Sequence, residues 1–89
     1  MTLRLIFLPT AEGDLQALYN LIAEDSPRAA FAFVEDIRQR CEPFAEFPGM
    51  GRSNNGRTFR FTFDRKVRVT YRVSSSAVLV GRIQYLGQQ

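Results

Sequence analysis

Thr58-Phe59-Arg60-Phe61-Thr62-Phe63-Asp64-Arg65-Lys66-Val67-Arg68-Val69-Thr70-Tyr71-Arg72-Val73 is the stretch whose reading decides the fold. Side chains alternate across a strand with period two. Phe59, Phe61 and Phe63 therefore share one face of the first half, and Val67, Val69, Tyr71 and Val73 share one face of the second. Asp64-Arg65 suits a two-residue hairpin turn between them. Antiparallel pairing brings the apolar faces together and gathers Arg60, Arg68 and Arg72 on the opposite, open face. One face needs a core, and the other needs water or an anion. Downstream, Ser74-Ser75-Ser76 reads as a turn and Ala77-Val78-Leu79-Val80-Gly81-Arg82-Ile83 as a third strand. That strand is apolar on both sides, which suits a central position. Gln84 to Gln89 reads as a short polar tail in which Tyr85 is the one chemically distinctive residue.

Upstream of the hairpin the spacing changes from two to helical. Leu3 to Leu8 is an apolar strand that Pro9 ends. Thr10 is placed as an N-cap, and Ala11, Leu15, Leu18, Tyr19 and Ile22 then recur at helical spacing as far as about Glu24 or Asp25. Glu12 and Asp14 are read as first-turn acids that the helix dipole favours. Ser26-Pro27 restarts a helix, with an N-cap followed by proline at the first helical position. Its buried stripe is Ala30, Val34, Ile37, Cys41 and Phe44, widened by Phe33. Pro43 predicts a kink, or a break before a short final turn through Phe47. Phe47 to Arg57 is rich in Gly, Pro, Asn and Ser and reads as a loop. Within it Gly49-Met50-Gly51 is a plain turn, since no helix follows to offer amide groups to a phosphate. The order predicts an α+β domain over residues 1–89: β-α-α-β-β-β, a largely antiparallel sheet with an N-terminal helical hairpin packed on its apolar face.

Composition restricts the function. Residues 1–50 carry four Arg against eight Asp or Glu, a net of −4, while residues 51–89 carry seven Arg and Lys66 against Asp64, a net of +7. The helices are acidic and the sheet is basic. Arginine forks suit carboxylates and phosphates, so an anionic partner is expected at a face built from Arg60, Arg68, Arg72 and Arg82. The absence of histidine removes imidazole catalysis and His metal sites, and a single cysteine removes disulfides and zinc clusters. Cys41 falls on the buried stripe of the second helix. No apolar run approaches the roughly 20 residues of a membrane span. With one cysteine and no signal peptide in view, a cytoplasmic protein without cofactor, metal or membrane contact is expected. Nearly all the carboxylates fall at solvent-facing positions of the predicted helices, so the chain is short of the parts an enzyme needs.

The pattern Ala11-x-x-Asp14-Leu15-x-x-Leu18-Tyr19-x-x-Ile22-Ala23, the restart Ser26-Pro27-x-x-Ala30-x-x-Phe33 and the loop Phe47-Pro48-Gly49-Met50-Gly51-Arg52 resemble the ParE toxins of bacterial type II toxin–antitoxin systems. Tyr71-Arg72-Val73 and Val80-Gly81-Arg82-Ile83 resemble the later strands of that family, so the likeness covers nearly the whole chain. The resemblance implies the RelE/ParE fold and a non-enzymatic toxin that inhibits DNA gyrase and arrests growth, of the kind that stabilises plasmids. It implies a ParD-like antitoxin as partner in a hetero-oligomer; the antitoxin, not this chain, would recognise operator DNA. Antitoxin contacts are expected at Leu18, Tyr19 and Phe33 on the helices and at Arg60 and Arg72 on the strands. The RelE-like branch implies a different activity, ribosome-dependent cleavage of messenger RNA, for which Arg60, Arg82 and Tyr85 are the matching residues. Lys66 is the only lysine and no histidine stands near the chain end, which departs from that branch. Tyr85 stands at about the place where ParE proteins often carry histidine, and Pro43 inside the second helix is a further departure. A third reading is a module that binds an antitoxin and acts on nothing else.

Overall fold

A computed structural model describes residues 2–87. The elements follow the expected order: β1 (Arg4–Phe7), α1 (Pro9–Ala23), α2 (Pro27–Cys41), two short 3₁₀ turns (Glu42–Ala45 and Pro48–Met50), β2 (Thr58–Phe63), β3 (Val67–Val73) and β4 (Ala77–Tyr85). The strands lie in the order β1-β4-β3-β2. The last three pair antiparallel, and β1 joins β4 in parallel, so the sheet is mixed and β4 is internal, as its two apolar sides require.

The helix ends show local chemistry. Ser26 caps α2 by accepting a hydrogen bond from the Ala29 amide at 3.1 Å, with Pro27 at the first helical position. Pro43 breaks the helix into the 3₁₀ turn Glu42–Ala45 rather than bending it. At α1 the expectation needs correction. The N-cap is Leu8, because Pro9 opens the helix, and Thr10 lies inside it with its hydroxyl donating to the Gly81 carbonyl. Asp14 lies beyond the first turn, and its carboxylate accepts from the Ile83 amide at 2.8 Å.

These two contacts hold an irregularity in β4. Thr70 pairs with Arg82 but Tyr71 pairs with Val80, so β4 carries one extra residue there, a β-bulge. The bulge changes which face each side chain takes. Val78 and Val80 before it and Ile83 after it all point to the core, whereas strict alternation from Val80 would bury Arg82. The bulge therefore puts Arg82 on the open face. The strand also runs two residues further than its apolar run suggests, through Tyr85. The polar end of the expected tail, Gln88-Gln89, lies outside the described residues.

The hairpin turn carries a similar device. Asp64 and Arg65 both take positive φ, 53° and 60°, as a type I′ turn demands, and the Lys66 amide closes it on the Phe63 carbonyl at 2.8 Å. A strict two-residue loop would set Phe63 opposite Lys66 and put the apolar faces on opposite sides. Lys66 instead stands as an extra residue, and Phe63 pairs with Val67, Phe61 with Val69 and Phe59 with Tyr71. The two-residue expectation thus holds for the turn but not for the loop length, and the apolar register decides the difference.

The core lies between this sheet face and the helical hairpin: Ala11, Leu15, Ile37, Cys41 and Phe44 against Val67, Val69, Tyr71, Val78, Val80 and Ile83. Phe44 is fully buried and stacks on Tyr71 with ring centroids 4.3 Å apart, while Phe59 stacks on the same tyrosine at 5.4 Å. Such pairs add about 0.5–1.5 kcal/mol each beyond their buried area. Burial pushes the Cys41 thiol up to about 12, so the residue is packing material and not a nucleophile.

Candidate functional site

The open face of the sheet is a lattice of arginines. Three cross-strand rows run over it: Thr58, Arg72 and Leu79; Arg60, Thr70 and Arg82; Thr62, Arg68 and Gln84. Within these three rows arginine alternates with neutral partners, so no two of the four strand arginines are direct cross-strand neighbours. Arg68 and Arg72 are four residues apart on one strand, about 13 Å, and Arg60 and Arg82 are two strands apart, about 10 Å. A cleft of about 580 Å³ opens beside Arg60 and Arg68, with Met50 and Arg52 on its other wall. A second hollow of about 340 Å³ continues past the same two arginines to Asn54, Asn55 and Gln84.

Among the described residues every salt bridge is made by an arginine of α2. The Arg38 guanidinium donates twice to the Glu12 carboxylate, at 2.6 and 3.1 Å, joining α2 to α1. These hydrogen bonds hold the Glu12 carboxyl below the usual carboxylate range and raise Arg38. Arg40 pairs with Asp36 at 2.9 Å and with Asp64 in the hairpin turn at 3.0 Å. Among the described residues no carboxylate lies within ion-pair distance of Arg52, Arg60, Arg68, Arg72 or Arg82. The open face is a cationic surface whose counter-charge is not supplied by the chain's own described residues.

A second feature lies on the other side. Leu18, Leu21, Ile22 and Phe33 line an apolar groove of about 230 Å³ whose far wall is Tyr85. The Tyr85 ring stands edge-on to Phe33 at 6.0 Å. Tyr19 faces a separate hollow with Glu12, Gln16, Val34 and Arg38. The sequence-based sets are therefore divided. Leu18 and Phe33 meet in one groove with Tyr19 beside them, and Arg60 and Arg72 lie on the opposite face of the sheet. Arg60 and Arg82 share a row, but Tyr85 pairs with Val67 and takes the core-side face. The trio Arg60, Arg82 and Tyr85 is not assembled, because Arg82 and Tyr85 stand three residues apart on one strand and take opposite faces; the bulge decides that Arg82 is the one turned to the open face.

The sequence matches the family described as "ParE toxin of type II toxin-antitoxin system, parDE" over residues 5–88. The chain belongs to the ParE toxin family. The structure is similar to that of a chain of the chromosomal ParDE toxin–antitoxin system from P. aeruginosa, with a TM-score of 0.80, 25% identity and coverage of 94% of this chain and 96% of that one. A chain of the RelBE2 toxin–antitoxin complex from Mycobacterium tuberculosis shares the fold at a TM-score of 0.63 and 22% identity, covering 96% of this chain and 99% of that one. No curated protein matches the sequence.

For a ParE-family toxin the residue the sequence reading leaves out is Arg52. It is placed by a two-way backbone bridge, in which Arg52 and Arg60 each donate an amide to the other's carbonyl at 2.9 Å. The loop before it is fixed by Tyr71, whose hydroxyl donates to the Pro48 carbonyl at 2.8 Å and accepts from the Gly51 amide at 3.0 Å. A Cβ on Gly51 would stand 2.8 Å from that hydroxyl and 2.9 Å from the Arg60 carbonyl oxygen, so only glycine fits. The composition of the loop signals a turn; nothing in its spacing signals that it folds back on β2. Among the described residues no helix is long and apolar enough to cross a membrane.

Proposed function

We propose that this toxin arrests growth by inhibiting DNA gyrase, without chemistry of its own, and that a ParD-like antitoxin neutralises it. The observation that carries the reading is the division of the molecule into two contact surfaces with no acid–base pair between them. The open face offers five arginines and no histidine, and its one candidate proton donor, Tyr85, is on the other side of the sheet. A surface of that kind binds by shape and charge; general acid–base catalysis needs a titratable group beside the reacting atom.

The antitoxin is read from the same surfaces. A segment with apolar side chains fits the groove at Leu18 and Phe33 with Tyr19 beside it, and a stretch bearing carboxylates fits Arg60 and Arg72. Because these lie on opposite sides, one segment that reaches both must wrap the sheet edge, as a chain that orders on binding can. The experiment that tests the function is a pulse label. The toxin is induced in bacteria without antitoxin, and incorporation of labelled thymidine and methionine is followed over the first minutes. Early loss of thymidine incorporation with methionine incorporation intact is the expected result, followed by inhibition of purified gyrase in a supercoiling assay. Early loss of methionine incorporation would overturn the reading in favour of cleavage of messenger RNA.

A further inference from the structure

We infer that the open sheet face, centred on Arg60 and Arg68 and completed by Arg52, Arg72 and Arg82, binds the phosphate backbone of duplex DNA. The inference rests on the gyrase reading above and names the ligand of the arginine lattice: the DNA that gyrase holds, gripped together with the enzyme. The first ground is charge complementarity. Five guanidinium groups on one face lack a carboxylate partner among the described residues, whereas two of the three arginines of α2, Arg38 and Arg40, are paired. The second ground is spacing. The Arg68 to Arg72 track of about 13 Å spans roughly four phosphates of one strand at 3.4 Å per step of helix axis. Arg60 and Arg82 flank that track on either side, in the row between its two ends.

The third ground separates backbone recognition from reading of unpaired bases. Recognition of single strands depends on aromatic platforms for stacking. The exposed aromatics are Phe31, Phe47 and Tyr85. Phe31 is on α2, Tyr85 takes the core-side face of β4, and Phe61, the one aromatic among the residues lining the cleft, packs its ring against Phe44 and Phe63 on the core side. Thr58, Thr62, Thr70 and Gln84 fill four of the five remaining positions of the lattice with neutral hydrogen-bonding groups, which suit phosphate oxygens and sugars and carry no sequence code, and Leu79 fills the fifth.

The test is fluorescence anisotropy of a labelled 20-base-pair duplex titrated with the intact toxin between 50 and 200 mM salt. With four or five phosphates neutralised, log affinity falls against log salt with a slope of roughly −4, an affinity loss of roughly 250-fold over that range. Arg60→Ala/Arg68→Ala reduces the slope to about −2, while Arg28→Ala/Arg40→Ala, which removes the same charge from the helical side, leaves it within about half a unit. Circular dichroism on each variant separates loss of binding from loss of fold. Equal weakening by both double variants would overturn the inference, since net charge alone would then explain the binding. Tighter binding of a single-stranded RNA of the same length would overturn it as well, assigning the face to RNA. The assay contains no gyrase, so absence of duplex binding in a toxin that still stops thymidine incorporation overturns this inference and leaves the gyrase reading standing.

Discussion

Replacing Tyr71 by Phe tests how the core holds the basic face. The ring is 1% exposed and stacks on Phe44 and Phe59, and Phe keeps both contacts. What is lost is one oxygen with two partners, the Pro48 carbonyl at 2.8 Å and the Gly51 amide at 3.0 Å. A hydrogen bond contributes about 1 kcal/mol net, and a buried group left without its partner costs about 1–3 kcal/mol. Gly51 and Pro48 are half-buried, so water restores part of the loss, and a destabilisation of about 2 kcal/mol is expected. In an 89-residue domain that lowers Tm by roughly 8–16 °C, and the urea midpoint falls with the m-value unchanged. Hydrogen exchange supplies the local readout: the Arg52 and Arg60 amides, bridged at 2.9 Å, lose protection as the loop detaches. Gly51→Ala breaks the same contact from the other side, so the double variant is less destabilised than the sum of the singles. A change under about 0.5 kcal/mol with the Arg52 and Arg60 amides still protected would refute the claim that Tyr71 fixes the loop.

Further substitutions test other joints. Asp14→Ala removes the carboxylate that accepts from the Ile83 amide; a loss of about 1.5–3 kcal/mol in chemical denaturation is expected for a charged acceptor, with the β4 bulge loosening first in hydrogen exchange. Arg65→Gly relieves a non-glycine residue at φ 60° and is expected to raise stability by up to about 1 kcal/mol, the left-handed penalty less the entropy of glycine. Above its ordinary value of 9.0, Cys41 ionises in the unfolded chain but stays protonated in the folded one up to about 12. Stability therefore falls with rising pH across that window, by at most about 1.4 kcal/mol per unit, and Cys41→Ala flattens the slope in pH-dependent urea melts. The Glu12–Arg38 pair has side chains 47% and 33% exposed. A double-mutant cycle at pH 7 is expected to give about 0.5–1 kcal/mol. Because the Glu12 carboxyl is held below 4.5, that coupling is present above this value and disappears as pH falls through the lower, folded one.

The sequence alone determined the elements and their faces, because both follow from local periodicity. Period two in Thr58 to Val73 separates the core side from the arginine side, and the apolar spacing of Ala11 to Ile22 and of Ala30 to Phe44 sets the helical hairpin against the first of these. Ser26-Pro27 and Pro43 mark ends that are written in single residues. What only the tertiary structure decided are the places where alternation slips by one. Lys66 keeps Phe63 opposite Val67, and the bulge before Ile83 turns Arg82 out and Tyr85 in. Both slips are selected by partners far away in sequence: the apolar register across the hairpin in one case, and in the other Thr10 and Asp14, which bind Gly81 and Ile83 from a helix some 70 residues earlier. Arg52 joins the site for the same kind of reason, through Tyr71 and the bridge to Arg60. A strand pattern specifies which side chains lie together as long as the count is unbroken; one inserted residue reverses every assignment beyond it, and only long-range hydrogen bonds determine where that residue goes.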